Sequence, residues 1–146
     1  EEMAWFANQV NSDAGNVTLK GRLTCDIYLN NIDEDNYAHK WTPIANYADT
    51  GRVFSGIFDG KGFTIYGLSI DNGKDYQGLF GYLSGAQIKN VKIASSHVHG
   101  GSEVGGIAGY SDKKGWKILR ERAMKCDNSW GTSANAYIRL YKELLK

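Results

Sequence analysis

Between Phe54 and Tyr110 the apolar residues come in short clusters closed by glycine turns. Phe54, Ile57 and Phe58 run into Asp59-Gly60-Lys61-Gly62, and Phe63, Ile65, Leu68 and Ile70 follow with Gly67 among them. Gly78-Leu79-Phe80-Gly81 comes next, then Ile88, Val91 and Ile93, then Val98, Val104, Ile107 and Ala108. Clusters this short predict strands when they are bounded by residues that bond nearby backbone or accept positive φ. Gly78-Leu79-Phe80-Gly81-Tyr82 returns as Gly106-Ile107-Ala108-Gly109-Tyr110, 28 residues further on, a spacing that suits one layer of a stacked repeat. A single layer exposes its apolar face, so stacking is what stabilises it. The pattern predicts a mainly β chain, folded as a right-handed β-solenoid (β-helix).

Upstream, Met3, Phe6, Ala7 and Val10 take the spacing of a helix with one apolar face. Such a helix would cap the exposed end of the first layer. Asn11 to Asn16 breaks the pattern. Leu19, Leu23, Ile27 and Leu29 then open a β region in which Thr24 to Leu29 alternates. Asn30 to Lys40 is a polar excursion, and Pro43 marks a turn with Trp41 and Ile44 pointing inward. Downstream of Tyr110 the repeat stops. Its next copy would begin at Lys114, but only Gly115 and Gly131 follow Gly109. Asp112 is placed to cap a helix carrying Trp116, Leu119 and Ala123, and a second helix begins near Thr132 with an apolar stripe of Ala134, Tyr137, Ile138, Tyr141, Leu144 and Leu145. Two parts are expected: residues 1–111, the solenoid segment, and residues 112–146, a two-helix tail able to cap it.

Charge sharpens that boundary. Residues 1–111 hold eight bases against twelve acids, a net of −4, and residues 112–146 hold nine bases against four acids, a net of +5. Basic residues on the wet face of amphipathic helices account for the tail, so no nucleic-acid partner is expected. The 18 glycines against a single proline suit a turn-rich β chain. Cys25 and Cys126 lie one in each part, which implies no disulfide framework; Cys25 is expected buried in a strand and Cys126 free. No apolar run reaches the length of a membrane span, so no membrane insertion is expected. The opening Glu1-Glu2-Met3, already inside a helical pattern, reads as a fragment or processed segment.

Few residues suggest chemistry. Asp33-Glu34-Asp35 offers oxygen ligands without the alternation and fixed glycine of a calcium loop. His39, His97 and His99 are the histidines, with no nucleophile signature beside them. His97 and His99 would share one strand face and could hold zinc with Glu103, but exposed polar residues on a wet strand are the commoner case. Asp26, Asp59 and Asp71 would need to converge to work on a glycosidic bond. Asp59 more simply serves its Asp-Gly turn. Tyr37, Tyr47, Tyr66, Tyr76 and Tyr82 offer apolar faces on which sugar rings could stack, and tyrosine is also ordinary β-sheet packing. The expectation is no catalysis, no catalytic residue, no metal and no cofactor, with ligand residues unassigned.

Glu2-Met3-Ala4-Trp5-Phe6-Ala7 through Val10-Asn11, Leu23-Thr24-Cys25-Asp26-Ile27, Trp41-Thr42-Pro43-Ile44, Phe54 to Gly60, Gly78 to Gly81 and Val104 to Tyr110 together resemble the GLUG-motif repeats of bacterial surface proteins. The resemblance covers about three quarters of the chain. It implies a secreted or cell-surface parent, adhesin-like, using repeats as a stalk or binding surface with a host glycan or protein as partner. Trp116, Leu119, Arg122-Ala123-Met124, Asp127, Ser129-Trp130, Ser133-Ala134, Tyr137, Leu140-Tyr141 and Leu144-Leu145 make the tail similar to the extreme C-terminus of bacterial glycogen synthases and plant starch synthases. Asn128 departs from that family, which usually has an aromatic residue there. The tail resemblance carries no catalytic carboxylate. The abrupt change between Ser111 and Lys114 fits a fusion or, preferred here, a composite of two genes. The reading is a non-catalytic structural repeat or adhesion module, with an α-glucan-forming glycosyltransferase fragment or a carbohydrate-active β-helix as alternatives.

Overall fold

The computed structural model describes residues 2–31 and 37–112. The chain divides into two units, Glu1–Gly115 and Trp116–Lys146, and the account below concerns the first. The expected tail helices, Cys126 and the Asp33-Glu34-Asp35 run lie outside the described residues.

The first element, α1 (Glu2–Ser12), buries Met3, Phe6, Ala7 and Val10 on one face. Its acidic Glu2 sits in the first turn, where the helix dipole favours negative charge. Asp13 stops it by accepting the Gly15 N–H at 2.8 Å, which starts a 3₁₀ turn over Ala14–Thr18. Asn11 fixes the far end: its Nδ2 donates to the Pro43 carbonyl and its Oδ1 accepts the Asn46 N–H, each at 2.9 Å.

Ten strands follow, all paired in parallel and none longer than four residues. β1 (Lys20–Arg22), β3 (Ile57–Asp59) and β7 (Gln87–Lys89) make one sheet; β2 (Ile27–Tyr28), β4 (Thr64–Tyr66) and β8 (Lys92–Ala94) make a second. β5 (Ser69–Asp71) pairs with β9 (His97–His99), and β6 (Phe80–Leu83) with β10 (Ala108–Ser111). A short helix, α2 (Tyr47–Thr50), lies before β3 and ends on Gly51 in the left-handed region. The repeat seen in the sequence is expressed as pairing. Phe80 faces Ala108, Ile65 faces Ile93 and Ser69 faces His97, each pair 28 residues apart.

The expectation of a right-handed β-solenoid is corrected here. The described residues form four separate parallel sheets of two or three strands, with no closed barrel and no continuous solenoid. Glycine turns and bends cut the ladders so short that pairing never runs on from sheet to sheet. Gly67 is one such cut: at φ +72 it splits the expected Phe63–Ile70 strand into β4 and β5, and a Cβ there would lie 2.9 Å from the Asn30 nitrogen. α2 was also not foreseen, since Tyr47-Ala48-Asp49-Thr50 is too short for a helical period to show. Cys25, expected buried in a strand, is exposed in the bend between β1 and β2. Val104 and Ile107, counted as core, are each 40% exposed.

Ile44, Phe54, Ile65, Leu68, Leu79 and Phe80 form the fully buried centre of the core. At its middle four rings meet. Phe6 of α1 lies 6.1 Å from Phe54 and 5.8 Å from Phe58, and Phe80 lies 5.3 Å from Phe54 and 5.4 Å from Phe58. Gly81 lets this centre close, because a Cβ there would stand 2.4 Å from the Ala45 carbonyl oxygen. Phe80→Ala should therefore lower unfolding stability by about 3–5 kcal/mol, and Gly81→Ala by about 1–3 kcal/mol through overpacking. Urea unfolding of both variants against the parent chain checks this; a Phe80→Ala loss near zero would show that the four rings are not the core's centre.

Candidate functional site

The residues most suited to contact a ligand are tyrosines, and the parallel register gathers them. Tyr82 of β6 pairs with Tyr110 of β10, so both side chains leave the same face and their ring centroids stand 4.6 Å apart. Tyr47, the first residue of α2, lies 4.9 Å from Tyr82 and 5.0 Å from Tyr76. Tyr76 completes the group at 5.8 Å from Tyr82 and 6.1 Å from Tyr110. Four rings make one ledge.

Local bonding aims each ring. Tyr76 sits at φ +59, held because its N–H donates to the Ser102 carbonyl at 3.1 Å while the Ser102 N–H donates to Asp75 Oδ1 at 2.6 Å. Gln77, fully buried beneath it, donates its backbone N–H to the Glu103 carbonyl and its side-chain Nε2 to the Asp75 carbonyl. Asn46 holds α2 by donating to Asp49 Oδ2 at 2.7 Å. Beside the rings is a cleft of about 490 Å³ lined by Tyr47, Ala48, Asp49, Gly73, Lys74, Asp75 and Tyr76. Lys74 Nζ pairs with Asp49 Oδ1 across it at 2.5 Å. That bond, with the Asn46 amide, holds the Asp49 carboxyl below the usual carboxylate range. Burial pushes the Tyr76 and Tyr82 hydroxyls up; Glu103 and Asp75 add to it at Tyr76, and Tyr110 and Asp112 at Tyr82.

A second aromatic feature lies on another sheet. Tyr28 and Tyr66 are register partners on β2 and β4, and their rings stack at 4.8 Å and 10°. Tyr37, by contrast, stands apart, with its hydroxyl donating to the Ser95 carbonyl at 3.3 Å. An apolar cleft of about 440 Å³ lies between α1 and the β1–β2 region, bordered by Trp5, Phe6, Leu23 and Cys25.

The remaining candidates are held by local partners. Asp26 Oδ1 accepts the Thr64 N–H at 2.7 Å. Asp59 Oδ1 accepts from Asn90 Nδ2 and the Lys61 N–H, and its Oδ2 faces Lys61 and Lys89 at 3.5 and 3.8 Å. Asp71 Oδ1 meets His99 Nδ1 at 2.9 Å across β5 and β9. The three carboxylates are thus tied into three different sheets. His97 and His99 are both exposed on β9, and among the described residues no three of His, Cys, Asp and Glu gather as metal ligands. The backbone of His39 bonds the buried Asn30 side chain: its N–H donates to Oδ1, and its carbonyl accepts from Nδ2, each at 2.8 Å. Tyr28 and Tyr110 went unnoticed as candidates. Tyr110 was readable, since Tyr82 recurs as Tyr110 in the repeated motif; Tyr28 was not, because it stands 38 residues from Tyr66 rather than 28.

Comparison with known proteins finds two kinds of relative. Halomucin of Haloquadratum walsbyi is 42% identical over 95 residues, which is 62% of this chain and 1% of that protein. Glycogen synthase of Caldicellulosiruptor saccharolyticus is 51% identical over 37 residues, 25% of this chain and 8% of the enzyme. Glycogen synthase of Clostridium beijerinckii is 54% identical over 35 residues, 24% of this chain and 7% of the enzyme. The chain therefore spans only a small part of each relative. No family model matches it, and no solved structure does. Among the described residues no helix is long and apolar enough to cross a membrane.

Asp59 gives the site region a pH signature. The Asn90 amide first, the Lys61 N–H next and then the two lysine charges hold its carboxyl below the ordinary value of 3.8. Its contribution to stability is present above that ordinary value and is lost as pH falls through the lowered one. Asp59→Asn should therefore destabilise the fold at neutral pH and flatten the loss of stability below about pH 4. Thermal unfolding from pH 7 down to pH 2 measures it; parallel curves for the variant and the parent would remove Asp59 from the account.

Proposed function

We propose that residues 1–111 are a non-catalytic structural repeat or adhesion module of a bacterial surface or secreted protein, of GLUG-motif kind. The observation that carries this reading is the similarity to Halomucin over 62% of the chain, a name that classes that protein with the mucins. The tyrosine ledge adds support, since exposed aromatic rings on rigid strands suit contact with a partner. The partner would be a host glycan or protein. Asp26, Asp59 and Asp71, each bound within its own sheet, leave this surface without the paired carboxylates that glycosidic chemistry needs.

A second reading has its own observation. Identity of 51% with a glycogen synthase over 25% of the chain favours residues 112–146 as a piece of an α-glucan-forming glycosyltransferase, joined to the module by fusion or composition. Such a piece without the nucleotide-sugar site would transfer nothing.

Two assays test these readings. The full chain, labelled and applied to immobilised glycans and to host surface proteins, should bind a subset saturably; silence on every one would count against adhesion. Incubation with nucleotide-activated glucose and an α-glucan primer should release no nucleotide, and measurable turnover would overturn the non-catalytic assignment.

A further inference from the structure

The four-tyrosine ledge carries more information about its ligand than its aromatic surface alone. Acidic side chains surround it. Asp49 and Asp75 line the cleft on one side. Glu103 lies in the segment bonded to Tyr76 and Gln77, and Asp112 follows β10, where Ser84 Oγ donates to its Oδ2. The base lining the cleft is Lys74, and its charge is matched by Asp49. Three further carboxylates are left over around four ring faces, on a module whose net charge over residues 1–111 is −4.

An aromatic face is itself negative, because the ring quadrupole presents its π cloud outward, so faces and carboxylates attract the same kind of group. Tyr47 and Tyr110 at the two ends are each 38% exposed. With centroid spacings of 4.9 Å from Tyr47 to Tyr82 and 4.6 Å from Tyr82 to Tyr110, the ledge offers successive rings at the spacing of stacked planar groups. A guanidinium is planar, weakly hydrated and permanently charged; it stacks on a ring while its edge donates to a carboxylate. Neutral sugars would use the rings but gain nothing from the surrounding charge.

We propose that the ledge of Tyr47, Tyr76, Tyr82 and Tyr110, with Asp75 and Glu103 at its margin, binds arginine side chains of a basic segment on a partner protein. This rests on the adhesion reading for its biological setting, but the binding itself does not require it. Asp75 is suited to the margin because its Oδ1 is already committed to the Ser102 N–H, which fixes the carboxylate before a ligand arrives. Pre-organisation of that kind lowers the ordering cost of binding. The buried Gln77 and the left-handed turn at Tyr76 hold the neighbouring ring in the same way.

The test uses the full chain and two peptides, acetyl-hexa-arginine amide and its hexa-citrulline counterpart, which keeps the shape and hydrogen bonds but loses the charge. Titration calorimetry should show saturable binding of the arginine peptide that weakens with salt, and about ten-fold or more weaker binding of the citrulline peptide, as expected when several charge contacts are removed together. Tyr110→Ser should weaken arginine-peptide binding about two- to five-fold, the loss of one exposed cation–π contact. Tyr110→Phe keeps the ring face and should leave binding unchanged, which separates ring loss from misfolding. Asp75→Asn and Glu103→Gln should each lower affinity and flatten the salt dependence, whereas Tyr28→Ser, on another sheet, should do neither. Equal affinity for the two peptides, or full binding by Tyr110→Ser, would overturn the proposal. Failure of the glycan and host-protein screen while the arginine peptide still binds would sink the adhesion reading alone.

Discussion

Four phenylalanine rings hold the described part of this chain together. Phe6, Phe54, Phe58 and Phe80 come from a helix, an isolated bridge, one sheet and another, and they meet edge to face or offset at 5.3 to 6.1 Å. No strand here exceeds four residues, so ladder hydrogen bonds alone could not fix the sheets against one another. Their relative placement comes from the rings, which reward only one arrangement of helix and strands. Everything on the surface inherits its position from that centre, the tyrosines of β6 and β10 included.

The in-register parallel pairing has a second effect, on side chains of like kind. Because the repeat sets Tyr82 against Tyr110 and Phe80 against Ala108, a residue recurring in sequence becomes a column in space, inward or outward according to strand alternation. The inward position carries Phe80 and pays into the core. The outward position carries tyrosine and leaves an aromatic strip facing water. One period thus generates both the part that stabilises and the part that meets other molecules.

Much of this was legible in the sequence. Met3, Phe6, Ala7 and Val10 announced α1, and the Gly78–Tyr82 and Gly106–Tyr110 echo announced the pairing of β6 with β10. The architecture drawn from that echo was too regular, because short runs of apolar residues say that strands exist and stay silent on how often a turn such as Gly67 interrupts them. Val104 and Ile107 were placed inside by composition alone, yet they stand at the margin where no further described layer covers them. Cys25 was assigned to a strand interior by alternation, and a bend turned it out. The tyrosine ledge was half visible: Tyr47 joins through α2, a four-residue helix too short to leave a periodic trace. Its acidic margin depended on the turn at Tyr76, which only three-dimensional bonding reveals.

The buried side chain of Asn30 bridges the two ends of the excursion, donating to the His39 and Gly67 carbonyls and accepting the His39 N–H, each at 2.8 Å. Partners before this point are 37 or 38 residues apart, as in Lys20 with Ile57 and Ile27 with Ile65, while later ones are 28 apart. The surplus is taken up between Asn30 and Trp41 without disturbing register on either side. A clamp that closes the base of a loop makes the fold indifferent to what the loop contains. Sequence between Asn31 and Ala38 is therefore free to drift, lengthen or be replaced while the scaffold stays the same, which makes this the natural place for variation among copies and for grafting a foreign peptide.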